Sequence, residues 1–181
     1  MRKPRRGRAL ASGVGVRRRC RRARQSSTIA SVLDITASAT TSLSPENVIR
    51  AAADFSDDRE KVWRNAKAKY LVVHDRGADF AEVTEGLRIV GVFWERSRYD
   101  WSQPGTIHQT VIDSNVVAPG STWELTTAPR NGGSRVEMRL RREFRPNLKG
   151  KVGSVLNHLG GARGWGFYLL RVLAEAERRS A

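Results

Sequence analysis

The feature that most constrains this chain is the run from Ala66 to Phe144, where six strand-like segments follow one another with only turn residues between them. Arg76-Gly77, Glu85-Gly86, Gln103-Pro104-Gly105, Pro119-Gly120 and Asn131-Gly132-Gly133 punctuate the run. They delimit segments at residues 67–74, 80–84, 91–101, 106–116, 121–127 and 135–144. Connections this short join antiparallel neighbours, because a parallel crossover needs a dozen residues or more. In the last segment Val136, Met138 and Leu140 alternate with Glu137, Arg139 and Arg141, which predicts one apolar and one wet face.

Upstream, Ile29, Ser31, Leu33 and Ile35 alternate weakly and predict a first strand over residues 28–39. Ser44-Pro45-Glu46-Asn47 then reads as a helix start, with serine as cap, proline in the first turn and acidic charge beside it. Val48, Ala51, Ala52 and Phe55 follow at helical spacing, and a break at Asp54 to Asp58 leads to a second short turn carrying Val62 and Trp63. Downstream, residues 148–179 read as helix, with Val152, Val155, Leu156 and Leu159 spaced for one apolar face. Gly160, Gly161, Gly164 and Gly166 predict a bend or break there, after which Phe167, Leu170, Val172, Leu173 and Ala176 restore an apolar stripe. The expected fold is therefore α+β of the helix-grip kind. A curved seven-stranded antiparallel sheet, with two short helices after strand 1, is gripped by a long C-terminal helix. Sheet and helix cannot follow one another everywhere, so a cavity suited to apolar ligands is expected between them.

The net charge of +15 would suggest a nucleic-acid binder if it were spread over the fold. Residues 1–24 hold eleven Lys or Arg and no acid, leaving 22 basic and 18 acidic groups in the rest. We therefore divide the chain into a basic tail, residues 1–27, expected to be disordered, and a domain over residues 28–181. The tail fits a basic arm for RNA, DNA or anionic lipid, a targeting segment, or an extension upstream of a true start near Val14 or Val16. The last is the expectation adopted. Arginine pairs in the tail lack the apolar stretch of an export signal, and no segment approaches the ~20 apolar residues of a membrane span. Cys20 is the only cysteine, so no disulfide within the chain is expected, and a cytoplasmic location is.

Local phrases reinforce the element order: Ser44-Pro45-Glu46-Asn47-Val48, Asp54-Phe55, Trp63, Arg98-Tyr99-Asp100, Ser114-Asn115, Pro119-Gly120-Ser121-Thr122-Trp123-Glu124 and Gly132-Gly133-Ser134-Arg135-Val136. Together they resemble bacterial members of the START-like, polyketide cyclase/dehydrase and lipid-transfer superfamily (SRPBCC). The resemblance spans most of residues 30–178. It implies a pocket beneath the long helix and ligands such as lipids, polyketides or isoprenoids. It leaves catalysis open, because such folds serve enzymes, carriers and adaptors alike.

His74, His108 and His158 are too far apart to preassemble a metal site, so neither metal nor cofactor is expected. His108 would serve as a general acid or base if it faced the cavity, and His158 lies on the helix beside it. Trp94, Tyr99, Trp123, Met138 and Trp165 complete the candidate cavity wall. Trp94 and Tyr99 should fall on opposite strand faces unless a bulge intervenes. Arg96, Arg98 and Arg142 are candidates for holding a ligand carboxylate or phosphate. Asp100, Asp113, Glu124 and Glu137 read as cross-strand charge pairs. Three functions compete: a carrier of a hydrophobic molecule, which leads, a cyclase or dehydratase, and a ribosome- or nucleic-acid-associated adaptor acting through the tail.

Overall fold

The computed structural model describes residues 32–180, so the expected tail and residues 28–31 of the expected first strand lie outside it. Seven strands form one antiparallel sheet: β1 (Val32–Thr41), β2 (Val72–Arg76), β3 (Phe80–Ile89), β4 (Gly91–Asp100), β5 (Thr106–Ser114), β6 (Thr122–Arg130) and β7 (Gly133–Glu143). Their order is β1-β7-β6-β5-β4-β3-β2, a meander closed by the return of β1 to the side of β7. Helices α1 (Pro45–Ala52) and α2 (Arg59–Val62) separate β1 from β2, and α3 (Leu148–Ser180) follows β7. This is the helix-grip arrangement.

Alternation dictates which side of each strand meets α3. Val136, Met138 and Leu140 are fully buried while Arg135, Arg139 and Arg141 are exposed, and Leu33, Ile35 and Ala37 do the same on β1. Each buried side chain of Leu or Val size contributes roughly 1.5–3 kcal/mol. Ser44 caps α1, its Oγ accepting from the Asn47 amide at 3.3 Å, and this aims Val48 and Ala52 into the core. Leu169, Val172, Leu173 and Ala176 of α3 complete that cluster, whereas Phe93, Val111, Val116, Val117 and Phe144 build a second one nearer the start of α3.

Three expectations need correction. The segment expected at residues 67–74 opens as a 3₁₀ turn, Ala68–Tyr70, and the strand proper begins at Val72 as an exposed edge. Glu85-Gly86 is no turn, since β3 runs straight through it to Ile89 and the reversal falls at Gly91, whose φ is +78°. A glycine is required mid-strand because a Cβ at residue 86 would sit 2.6 Å from the Phe93 carbonyl oxygen. The third concerns α3. It breaks at Gly161, with φ 51° and ψ −160°, as the glycine cluster predicted, but its first half does not bury the expected apolar face. Val155, Leu156 and Leu159 are exposed and Val152 only half-buried. Gly150 and Gly153 face inward instead, and a Cβ on Gly153 would come within 2.6 Å of Val116. The small side of the helix is seated, and the larger side chains are turned out.

Gly86→Ala should therefore cost about 1–3 kcal/mol through the collision with Phe93. Gly164→Ala, where a Cβ meets nothing within 4 Å, should be neutral or stabilising by up to about 1 kcal/mol. Urea denaturation of the two variants measures both signs.

Candidate functional site

A cavity of about 260 Å³ lies between the sheet and the first half of α3. Its apolar wall includes Trp63, Phe93, Trp123, Leu140, Phe144 and Trp165. The rings pack edge to face: Trp63 on Trp123 at 5.5 Å and 89°, Trp165 on Tyr168 at 5.5 Å and 81°. Trp165 touches both core clusters, so the cavity occupies the seam where the two fail to merge.

Two charged pairs enter this wall. Glu85 on β3 and Glu95 on β4 lie directly opposite one another in the register, and both border the cavity. Like charges so placed repel, and each is answered by its own arginine. The guanidinium of Arg59, from α2, donates to one oxygen of Glu85, and the Tyr99 hydroxyl donates to the other. Arg59 also donates to the Ala52 and Asp54 carbonyls at 2.9 and 3.0 Å and stacks 4.3 Å above the Phe55 ring. From β7, Arg142 donates to Glu95 at 2.8 Å and to Gln109 Oε1 at 3.0 Å, and Gln109 in turn donates to Ser97 Oγ at 2.8 Å. Burial works against the Arg59 charge, but Glu85 and Tyr99 together outweigh it, so the guanidinium is held protonated more firmly than usual. Burial first, and then the Glu85 charge, push the Tyr99 hydroxyl well above the usual tyrosine range. Burial raises Tyr168 in the same way; its hydroxyl donates to Asn65 Oδ1. Among the described residues no buried side-chain nitrogen or oxygen lacks a partner.

The structure sorts the expected wall. Trp94, Tyr99, Trp123 and Trp165 border the cavity; Tyr99 does so on the inward parity of β4, and Trp94, half-buried, does so from the other parity. The bulge lies next door on β5, where Arg96 and Ser97 pair with Asp113 and Val111 and Ile112 is left over. Met138, by contrast, is fully buried in the core and does not reach the cavity, because Leu140 and Trp123 stand there instead. His108 is turned to the outer face, its side chain 42% exposed and its Nδ1 3.3 Å from Glu124, since Ile107 and Gln109 take the inward positions. His158 is also exposed, donating from Nδ1 to the Ser154 carbonyl at 2.8 Å. Of the three arginines expected to hold an anion, only Arg142 points inward; Arg96 pairs with Glu82 on the outside and Arg98 lies over Phe80. Asp113, expected in a cross-strand pair, instead meets Arg145 at 2.7 Å.

Arg59, Glu85 and Gln109 were not anticipated. For Glu85 the signal is present: Ala81, Val83, Glu85 and Leu87 share a parity, and a carboxylate on a strand's apolar side demands a cation. Taking Glu85-Gly86 for a turn conceals it. Arg59 has no comparable signal, because α2 is a single turn whose orientation follows from the packing.

No protein-family model matches the chain, and no curated protein sequence does. Solved structures do. The chain is similar to the Zhui aromatase/cyclase from a Streptomyces species, with TM-score 0.66 and 15% identity over 83% of this chain and 97% of that one. It is similar to the protein TTHA0849 from Thermus thermophilus, with TM-score 0.60 and 15% identity over 82% and 100% of the two chains. A START superfamily protein from Mycobacterium smegmatis aligns with TM-score 0.54 and 13% identity over 72% and 94%. The likeness shows that the chain shares the helix-grip fold of these structures.

Two outcomes follow from the charged wall. Arg59→Met should cost about 3 kcal/mol at neutral pH, because it strands the Glu85 carboxylate, and adding Glu85→Gln should recover part of that loss in denaturant titrations. Because the folded protein holds Tyr99 and Tyr168 neutral beyond the unfolded tyrosine pKa of about 10, their contribution is fully present below that pH and is lost as pH climbs toward the folded values. Stability measured on the alkaline side should thus fall less steeply in Tyr99→Phe/Tyr168→Phe than in the parent.

Proposed function

We propose that this chain binds a small hydrophobic molecule carrying a planar ring system in the cavity beneath α3. The observation that carries the reading is the wall itself. Four rings, Trp123, Trp63, Tyr168 and Trp165, meet in a row, edge to face at its two ends and tilted between Trp63 and Tyr168, leaving flat surfaces against which an aromatic guest can lie. Transfer of such a guest from water supplies the driving force, at roughly 25 cal/mol per Å² of apolar surface removed. The inward polar groups supply orientation. Arg142 and Tyr99 stand on opposite sides of Gln109 in the wall and present polar edges to a guest with a hydroxyl, carbonyl or carboxylate substituent. The fold shared with an aromatase/cyclase and a START superfamily protein is in keeping with this class of ligand.

A second reading, an enzyme of the cyclase or dehydratase type, is favoured by one observation: a hydroxyl hydrogen-bonded to a carboxylate, Tyr99 on Glu85, stands in the cavity wall, a pairing of the kind that relays protons. It ranks below binding because both Glu85 oxygens are already occupied, by Arg59 and by Tyr99, and the second carboxylate of the wall, Glu95, is paired with Arg142.

Isothermal titration calorimetry with 1-naphthol, a two-ring probe, should give a 1:1 complex with a negative heat-capacity change. Leu87→Trp, which fills the cavity from a half-buried position, should weaken it about tenfold or more while leaving the melting temperature close to the parent's. Absence of a complex, or equal affinity in a folded Leu87→Trp variant, would overturn the reading.

A further inference from the structure

The outward turn of the first half of α3 has a counterpart on the sheet. Leu148, Val155 and Leu159 project from the helix, Leu159 being 80% exposed, and Ile89 and Val90 project from the β3–β4 reversal. The two are joined by Lys149, whose Nζ donates to the Val92 carbonyl at 2.8 Å and whose stem lies against Gly91. They also share the cavity's rim, because Ile89 and Leu156 are each exposed and each part of its wall. An apolar surface thus rings the entrance to the cavity.

Its electrostatics are one-sided. From Phe144 to Ala174 the sequence has five basic residues, Arg145, Lys149, Lys151, Arg163 and Arg171, and no acid, and of the five Arg145 is paired with Asp113. Arg88 adds a sixth at the hairpin, exposed beside Ile89. The acids nearest the hairpin, Glu85 and Glu95, are turned inward and neutralised by Arg59 and Arg142. A second copy of the chain docked face to face would bring these cations together. The N-terminal segment carries charge of the same sign, with eleven basic residues and no acid in its first 24. What matches both the protruding apolar side chains and the surrounding cations is a surface that is anionic outside and hydrocarbon beneath.

We infer that the α3 start and the β3–β4 reversal dock this protein on an anionic lipid bilayer, with Leu159, Val155 and Val90 entering the acyl boundary and Lys151, Arg88 and Arg163 meeting the headgroups. The cavity entrance then opens toward the lipid. Docking does not depend on the cavity holding a ligand, so the two readings stand or fall separately.

The test is co-sedimentation of the full chain with vesicles of phosphatidylcholine alone and with added phosphatidylglycerol, for the parent and for Val155→Ser/Leu159→Ser. The basic tail is present in both proteins, so their difference reports the patch. The parent should partition onto the anionic vesicles and the variant about tenfold less, with 1-naphthol binding and melting temperature unchanged. A Leu159→Trp variant should show a blue-shifted emission on those vesicles, which attraction by the tail alone does not produce. Equal partitioning of parent and variant would overturn the inference. So would a parent that is dimeric by ultracentrifugation and becomes monomeric on the double substitution, since the patch would then be covered by a second copy. Failure of the parent to bind anionic vesicles at all would overturn it too, and would point to an acidic protein surface.

Discussion

Two carboxylates face one another across neighbouring strands, and much of the architecture is arranged to make that tolerable. Glu85 and Glu95 occupy paired positions on the inward side of β3 and β4, where an uncompensated charge would cost several kcal/mol. Their cations come from opposite ends of the fold. Arg59 reaches from α2, and by holding the Ala52 and Asp54 carbonyls it also fixes the end of α1. Arg142 reaches across from β7, and through Gln109 and Ser97 it links to β5 and β4. Neutralising the acids thus pins the short helices over one end of the sheet and stitches four strands across the concave face. The cavity between these two pairs is covered by the first half of α3.

The same pairing shapes what the cavity can accept. A wall of rings alone would bind anything flat and greasy. Here the polar groups are spent on one another, so they present directional edges without free charge, and a guest must compete with an existing hydrogen bond to use them. A guest of the proposed kind would be discriminated by shape and by a few polar contacts more than by charge. Tyr99 is the exception worth separating, since burial and the neighbouring Glu85 charge both hold its hydroxyl in the neutral form.

Much of this was legible in the sequence. Alternation in β7 and β1, the Ser44 cap and the short turns give the strand count, the direction of pairing and the helix start, because each is a local pattern with period two or a fixed cap chemistry. What escaped depends on contacts between distant residues. Gly86 is a glycine because the Phe93 carbonyl approaches it, and a local reading of Glu-Gly sees only a turn. The stripe Val152, Val155, Leu156 and Leu159 is a true helical stripe, yet periodicity says that one side is apolar and not that it is the seated one; Gly153 against Val116 decides that. For His108 the parity was available in Ile107 and Val111, but the polar Gln109 between them blurred which side was inward.

The break at Gly161 makes α3 two rods that share a name. The second rod carries Leu169, Val172, Leu173 and Ala176 into the main core, whereas the first is seated chiefly by Gly150, Gly153 and Val152. Helical cooperativity does not pass through a residue outside helical geometry, so the rods belong to separate units of local opening. Amide protons of the first rod should exchange by small, frequent openings, and those of the second only with the domain. The element over the cavity is thus held by contacts of its own, separate from those that secure the fold.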